Sequence, residues 1–153
     1  MYDMLKRTSL FGDLDDEALR AIAGFSRKLE CADGESILAE GGNQDRDLYI
    51  VSKGDLDVTS TISAWSSNKE ISLPNINTEL YGEVAWLLQI NRIADAKCHG
   101  ATELIRIDGD KLHAYLAAHP DTGFKVISKI ATILATKLVH LNTQVKMVSS
   151  YAF

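Results

Sequence analysis

Apolar positions along the chain change their spacing twice. From Asp15 to Gly24 the run DDEALRAIAG reads as a short amphipathic helix, with Asp15 as its N-cap and Gly24 as its stop. From about Phe25 to Ile107 the pattern shortens to strand-length runs. DLYIV, LDVTSTI and ELIRI are rich in β-branched or aromatic residues, and the turn signals ADGES, EGGNQD, SKGDL, WSSNKE and LPNIN recur about every eight to twelve residues. Such spacing predicts a barrel or sandwich rather than a parallel α/β sheet. After Asp108 the period is helical again. DGDKLHAYLAAH is a short helix with an acidic start, and Pro120 sits at the first turn of a second helix running from about Asp121 to Val145 or beyond.

That last helix carries two apolar stripes. Ile127, Ala131, Leu134, Leu138, Leu141, Val145 and Val148 alternate at spacings of four and three, an a/d pattern held over three heptads. Val126, Ile130 and Ile133 form a second flank that can hold the helix to the barrel while the seam meets another chain. The seam therefore predicts a homodimer through the C-terminal helix.

Composition narrows the class. The chain has 153 residues, 46% hydrophobic and 24% charged, which suits one globular domain with a real core. Its net charge is −5, and Lys and Arg are scattered, so direct nucleic-acid binding is not expected. No stretch approaches the ~20 apolar residues of a membrane span. The N-terminus MYDMLKRTSLFGDLDD lacks a secretory core and cleavage site, so the expected location is cytoplasmic, with Cys31 and Cys98 as reduced thiols. No Cys/His cluster points to a metal. His99, His113, His119 and His140 are far apart in sequence and no nucleophile–base spacing is visible, so no catalytic residues and no enzyme activity are expected.

One stretch carries candidate chemistry: LYGEVAWLLQINRIADAKC, Leu80 to Cys98, where a Gly-Glu pair opens a short apolar run and an arginine follows the glutamate by nine positions. Together with SLFGDLDDEALRAIA and ADGESILAEGGNQDRDLYIVSKGDLDV it resembles the cyclic-nucleotide-binding domain of bacterial transcription regulators, cyclic-nucleotide-dependent kinases and gated channels. Gly34, Glu35, Glu40, Gly41, Leu48, Tyr49, Ile50 and Gly54 fall on the family's pattern of turns and strands, and YGEVAWLLQINRIADA resembles its phosphate-binding cassette. The resemblance covers nearly the whole chain.

It implies an α+β, mainly β fold: a double-stranded β-helix, or jelly-roll-like β-roll, with N-terminal helices and a long C-terminal helix. Residues 1–153 then form a single domain, with 1–24 helical, 25–107 the roll with its cassette, and 108–153 the C-terminal helices. It further implies a non-catalytic regulatory domain that binds a cyclic nucleotide, cAMP-like, at Gly82, Glu83, Val84, Ala85, Arg92 and Ile93. Val58 is a candidate wall for the base, and Lys137, His140 and Asn142 are candidates for a lid on the last helix.

The chemistry fits these residue types. A carboxylate at Glu83 can accept a charge-assisted hydrogen bond from a ribose hydroxyl. Arg92 can meet a phosphate with a planar fork of donors, charged at any working pH. The first N–H groups of a short helix in GEVAWLL also favour an anion. Trp86 is expected in the core, and strand alternation from Arg92 puts Asp95 on the outer face.

Thr78, Tyr81, Asn91 and Ile93 depart from the family's usual Gly, Phe, Pro and small or hydroxyl residue. They keep a second reading open: a ligand-free protein-interaction or scaffold module on the same fold, in which Glu83 and Arg92 are merely paired. Ile93 brings no hydroxyl beside the arginine, which favours cAMP over cGMP.

Overall fold

The computed structural model describes residues 1–42, 45–64, 67–72 and 79–151. Helices α1 (Tyr2–Lys6) and α2 (Asp16–Gly24) precede strands β1 (Ser26–Cys31), β2 (Ser36–Leu38), β3 (Leu48–Ala64), β4 (Ser67–Ser72) and β5 (Leu80–Tyr81). Helix α3 (Glu83–Leu88), strand β6 (Asp95–Ile107) and helices α4 (Gly109–Ala118) and α5 (Pro120–Tyr151) follow. Asp15 caps α2 by accepting from the Ala18 N–H at 2.8 Å, and Asp108 caps α4 through the Lys111 N–H at 3.0 Å.

The strands form one antiparallel sheet in the order β1-β6-β3-β4, with β2 also on β6 and β5 on β3. One of the expected turns is not a turn, and of WSSNKE, whose Trp65 and Ser66 lie outside the described residues, the rest is strand. SKGDL lies inside β3, which continues through Gly54 with a shift of register against β6. Gly54 has φ +86°, and a Cβ there would come within 2.8 Å of the Ala101 carbonyl, so glycine allows a bend with close backbone approach instead of a reversal. The SNKE of WSSNKE is strand β4, paired with β3 from Thr59↔Ser72 to Ala64↔Ser67. Backbone pairing overrides the turn preference of Ser and Asn there. The turn signal LPNIN lies outside the described residues.

Period-two alternation divides the interior in two. On β3, Leu48 and Ile50 join Ile105 and Ile107 of β6 and Leu80 of β5 in a cluster that the helices cover with Leu19, Ile22, Leu112, Val126 and Ile130, and the turn between α1 and α2 with Phe11. The intervening residues face the other way. Tyr49, Leu104 and Tyr81 form a second cluster with Cys31, Leu56, Ala96 and Cys98, edged by Ile37, Leu38, Val51 and Val58. The helices cover the first cluster and the second lies among the strands themselves, the arrangement of a β-roll. The two cysteines are unbridged and buried, and burial, with Cys31 beside it, pushes the Cys98 thiol up to about 12.

Helix α5 is docked over its first half only. Val126 and Ile130 are buried, and Ile133 and Leu134 pack against the helix-covered cluster. Lys129 donates to the Ser9 carbonyl at 2.8 Å and pairs with Asp13. Beyond Lys137 the described apolar side chains, Leu138, Val139, Leu141, Val145 and Met147, are exposed. Leu134 therefore leaves the seam and belongs to the inward flank, while Ile127, Ala131, Leu138, Leu141 and Val145 stay on the outside. No helix among the described residues is long and apolar enough to cross a membrane.

Candidate functional site

The site is built on the turn from β5 into α3. Tyr81 points into the second cluster and Leu80 into the first, so Gly82 emerges at the edge between them. Gly82 has φ +87°, and a Cβ on it would lie 2.7 Å from the Asp47 carbonyl and 2.8 Å from Arg92 Nη1. The position thus requires glycine both for its conformation and for the approach of the arginine. Helix α3 is anchored by Trp86, which is buried in the first cluster and donates Nε1–H to the Gly109 carbonyl at 2.8 Å. Gln89, with φ +56°, ends the helix and returns a hydrogen bond from Nε2 to the Trp86 carbonyl.

Arg92 lies outside any strand. Its backbone is held by two hydrogen bonds to the glycine loop, Arg92 N–H to the Gly42 carbonyl at 2.9 Å and Gly41 N–H to the Arg92 carbonyl at 2.7 Å. Strand β6 begins only at Asp95, so alternation does not carry from Arg92 to Asp95. The Asp95 side chain is half-buried and accepts from the Glu40 N–H at 2.8 Å, a correction to its expected exposure. Glu40 reaches across to β3, accepting from the Ser60 hydroxyl and the Thr61 N–H, both at 2.9 Å.

Among the described residues the buried polar side chains are Thr8, Glu83, Arg92 and Thr102. Both buried charges therefore belong to the cassette, at 3% and 6% exposure. They do not pair with each other. Glu83 Oε1 accepts from Lys137 Nζ of α5 at 2.5 Å, and the same ammonium donates to the Leu80 carbonyl at 3.1 Å and lies 5.5 Å from the Tyr81 ring centre. Arg92 donates from Nη1 to the Gly82 carbonyl at 3.2 Å, and from Nη2 to Asp45 Oδ1 at 2.6 Å and the Asp47 carbonyl at 2.9 Å. Asp45 also meets Arg106 Nη2 at 3.2 Å, and Arg106 Nε bonds the Asp47 carboxylate. Burial, with help from Asp55 and Glu83, pushes the Tyr81 hydroxyl up to about 12, so it stays a neutral donor.

The structure thus gathers Gly82, Glu83 and Arg92 around one turn, with Ala85 buried and Val84 half-buried behind them. Val58 packs against the second cluster, in register with Ala96. Ile93 stands apart at 52% exposure, with only its carbonyl drawn in by the Ser60 hydroxyl. Of the lid candidates, Lys137 has its ammonium bonded to Glu83, and His140 and Asn142 are exposed farther along the helix. Thr78 lies outside the described residues. Of the two side chains that hold the buried charges, sequence reasoning named Lys137 only as a lid candidate and missed Asp45. Lys137 continues the inward stripe Val126–Ile130–Ile133, which a reading of that stripe could have found. Asp45 sits in a loop with no periodic signal. Among the described residues no group of three or more His, Cys, Asp or Glu could hold a metal.

No protein-family model matches the chain. Among curated proteins, glutaminase 2 of Bradyrhizobium diazoefficiens is 25% identical over 148 residues, which are 96% of this chain and 22% of that protein. Solved structures are closer in shape. The catabolite activator protein of Thermus thermophilus matches 93% of this chain and 63% of its own with a TM-score of 0.70 and 23% identity. The N-terminal domain of a transcriptional regulator from Streptomyces coelicolor matches 87% of this chain and 93% of its own, with a TM-score of 0.65 and 25% identity. The regulatory domain of Toxoplasma gondii PKA, solved with cAMP, matches 74% of this chain and 42% of its own at a TM-score of 0.61 and 23% identity. The chain spans about a fifth of the glutaminase and less than two thirds of the Thermus protein. Helices, roll and cassette in this order give the chain the fold of the cyclic-nucleotide-binding domains.

Proposed function

We propose that the chain is a non-catalytic receptor module that binds a cyclic nucleotide, cAMP-like, at the turn from Gly82 to Ile93 and reports it through α5. The observation that carries this reading is that both charged side chains buried in the described structure are Glu83 and Arg92. Burying a charge costs several kcal/mol unless it is compensated, and these two residue types suit a ribose hydroxyl and a cyclic phosphate. The cAMP-bound Toxoplasma relative supports the same ligand class.

In this reading Glu83 accepts from the 2′-hydroxyl, Arg92 meets the phosphate beside Gly82, Val84 and Ala85 flank them, and Val58 lines the base. A hydroxyl binding at Glu83 competes with Lys137, so occupancy and the docking of α5 are linked through one carboxylate. The exposed seam of Ile127, Ala131, Leu138, Leu141 and Val145 pairs with a second copy. Such a module acts through something attached to it or docked on it; the much longer glutaminase relative illustrates an enzyme setting for it.

The rival reading, a ligand-free interaction module, is favoured by one observation: Glu83 and Arg92 already have partners within the chain. Calorimetric titration with cAMP and cGMP separates the two. The expected result is cAMP binding that Arg92→Ala weakens by about a hundredfold or more, while the fold survives. Absence of binding to either nucleotide, or unchanged affinity in the mutant, selects the ligand-free module.

A further inference from the structure

Both Nη2 hydrogens of Arg92 are already taken, by Asp45 and the Asp47 carbonyl. The Arg92 side chain is 5% exposed and that of Asp45 is 34%, so the carboxylate covers the guanidinium on its outer side. Asp45 belongs to no helix or strand, and its second oxygen is shared with Arg106. Arg106 is in turn bonded to Asp47, whose carboxylate also accepts from the Gly109 N–H at 3.1 Å. Two arginines and two aspartates make the cluster neutral.

We infer that Asp45 is a resident counter-ion which a ligand phosphate must displace from Arg92, and that it sets the affinity and salt dependence of the site. This rests on the nucleotide reading above. A carboxylate and a phosphate both need the Nη2 hydrogens and repel each other at contact distance, so they cannot occupy the fork together. Exchange leaves no charge stranded. Asp45 retreats to Arg106, and Arg92 keeps the Gly82 and Asp47 carbonyls. With Asp45 present an anion enters a neutral cluster; without its charge the anion enters a cluster of net positive charge. Removing that charge therefore strengthens anion binding, whereas a residue that merely holds Arg92 in place would weaken binding when changed.

The test uses Asp45→Asn, which keeps the shape, Asp45→Ser as a second neutral variant, and Asp45→Glu, which keeps the competitor. In calorimetry with cAMP the neutral variants are expected to bind about tenfold tighter than wild type. They should also show a steeper loss of affinity with salt, while Asp45→Glu stays near wild type. Thermal shift with inorganic phosphate gives an independent arm. The neutral variants gain stabilisation by phosphate over wild type, and adding Arg92→Ala removes it. A gain in phosphate stabilisation in the neutral variants, without cAMP binding in any variant, upholds the role of Asp45 and overturns the nucleotide reading. Wild-type cAMP binding that needs Arg92, with no tightening in folded Asp45→Asn and Asp45→Ser, overturns the role of Asp45 and keeps the nucleotide reading. No gain with either probe in both neutral variants also overturns the role of Asp45.

Discussion

Glu83 opens α3 and Arg92 follows it, and both are buried, but they are neutralised in different ways. Glu83 is held by a cation on another element, Lys137, which stands on α5 one turn beyond Ile133 and Leu134, themselves packed against the core. Arg92 is held by a loop carboxylate and two backbone carbonyls, and its carboxylate partner has a second arginine to fall back on. One charge is thus tied to a long helix whose outer half carries exposed apolar residues. The other is tied to a local cluster that can exchange partners. A change at Glu83 must move a helix or strand a buried charge, and a change at Arg92 need not do either.

Breaking each pair from the partner's side gives the largest contrast. Lys137→Met leaves Glu83 buried without its cation and should lower stability by about 3 kcal/mol. Adding Glu83→Gln should restore much of that. Asp45→Asn, in which Arg92 keeps its two carbonyl acceptors, should cost about 1 kcal/mol or less. Denaturant titration of the four proteins checks this, and equal losses for Lys137→Met and Asp45→Asn would erase the distinction.

The two halves of α5 sharpen it further. Leu138→Glu with Leu141→Glu should weaken self-association at least tenfold, about 1.4 kcal/mol, without loss of the roll. Leu134→Glu should instead destabilise the fold, because Leu134 packs on the core. Light scattering that finds the wild type monomeric at micromolar concentration would remove the seam from the account.

A smaller effect is expected next to the arginine. An apolar residue at 93 rejects an added polar group only weakly, so cAMP should bind about ten to a hundred times better than cGMP. Ile93→Thr should narrow that gap by several-fold through tighter cGMP binding. Because Ile93 is exposed in this structure, an unchanged ratio in the mutant would show that another wall sets the choice.

The smallest effect lies far from the cassette. The hydrogen bond to Asp57 raises the pKa of the exposed His99 above the ordinary histidine value. A raised folded-state value means that the pair's contribution is fully present below the unfolded pKa and is lost as pH rises through the folded one. His99→Asn should therefore narrow the stability difference between roughly pH 6 and pH 8 slightly. If the difference is unchanged, the pair is not formed in solution.

Much of this architecture was legible in the chain. Asp15 as N-cap, the helix to Gly24, the helix after Asp108 and the long final helix all follow from capping chemistry and a 3.6-residue period. The grouping of Gly82, Glu83 and Arg92 at one turn was legible from their order, and Trp86 fell in the core as its size and setting suggest. The strands were less legible. SKGDL and SNKE carry turn residues, and only pairing with a neighbouring strand makes them β.

What the sequence by itself determined, then, is local: where helices begin and end, which face of each strand is apolar, and which residue types stand at the cassette. Partners across the fold were decided only by tertiary structure. Glu83 and Arg92 are nine positions apart, close enough to be taken for a pair, but the cation at Glu83 comes from 54 residues away and the carboxylate at Arg92 from 47 residues before it. A charge buried by folding must be compensated by whatever the packed elements bring within hydrogen-bonding distance, and that depends on how β3, α3 and α5 meet, which no local pattern encodes.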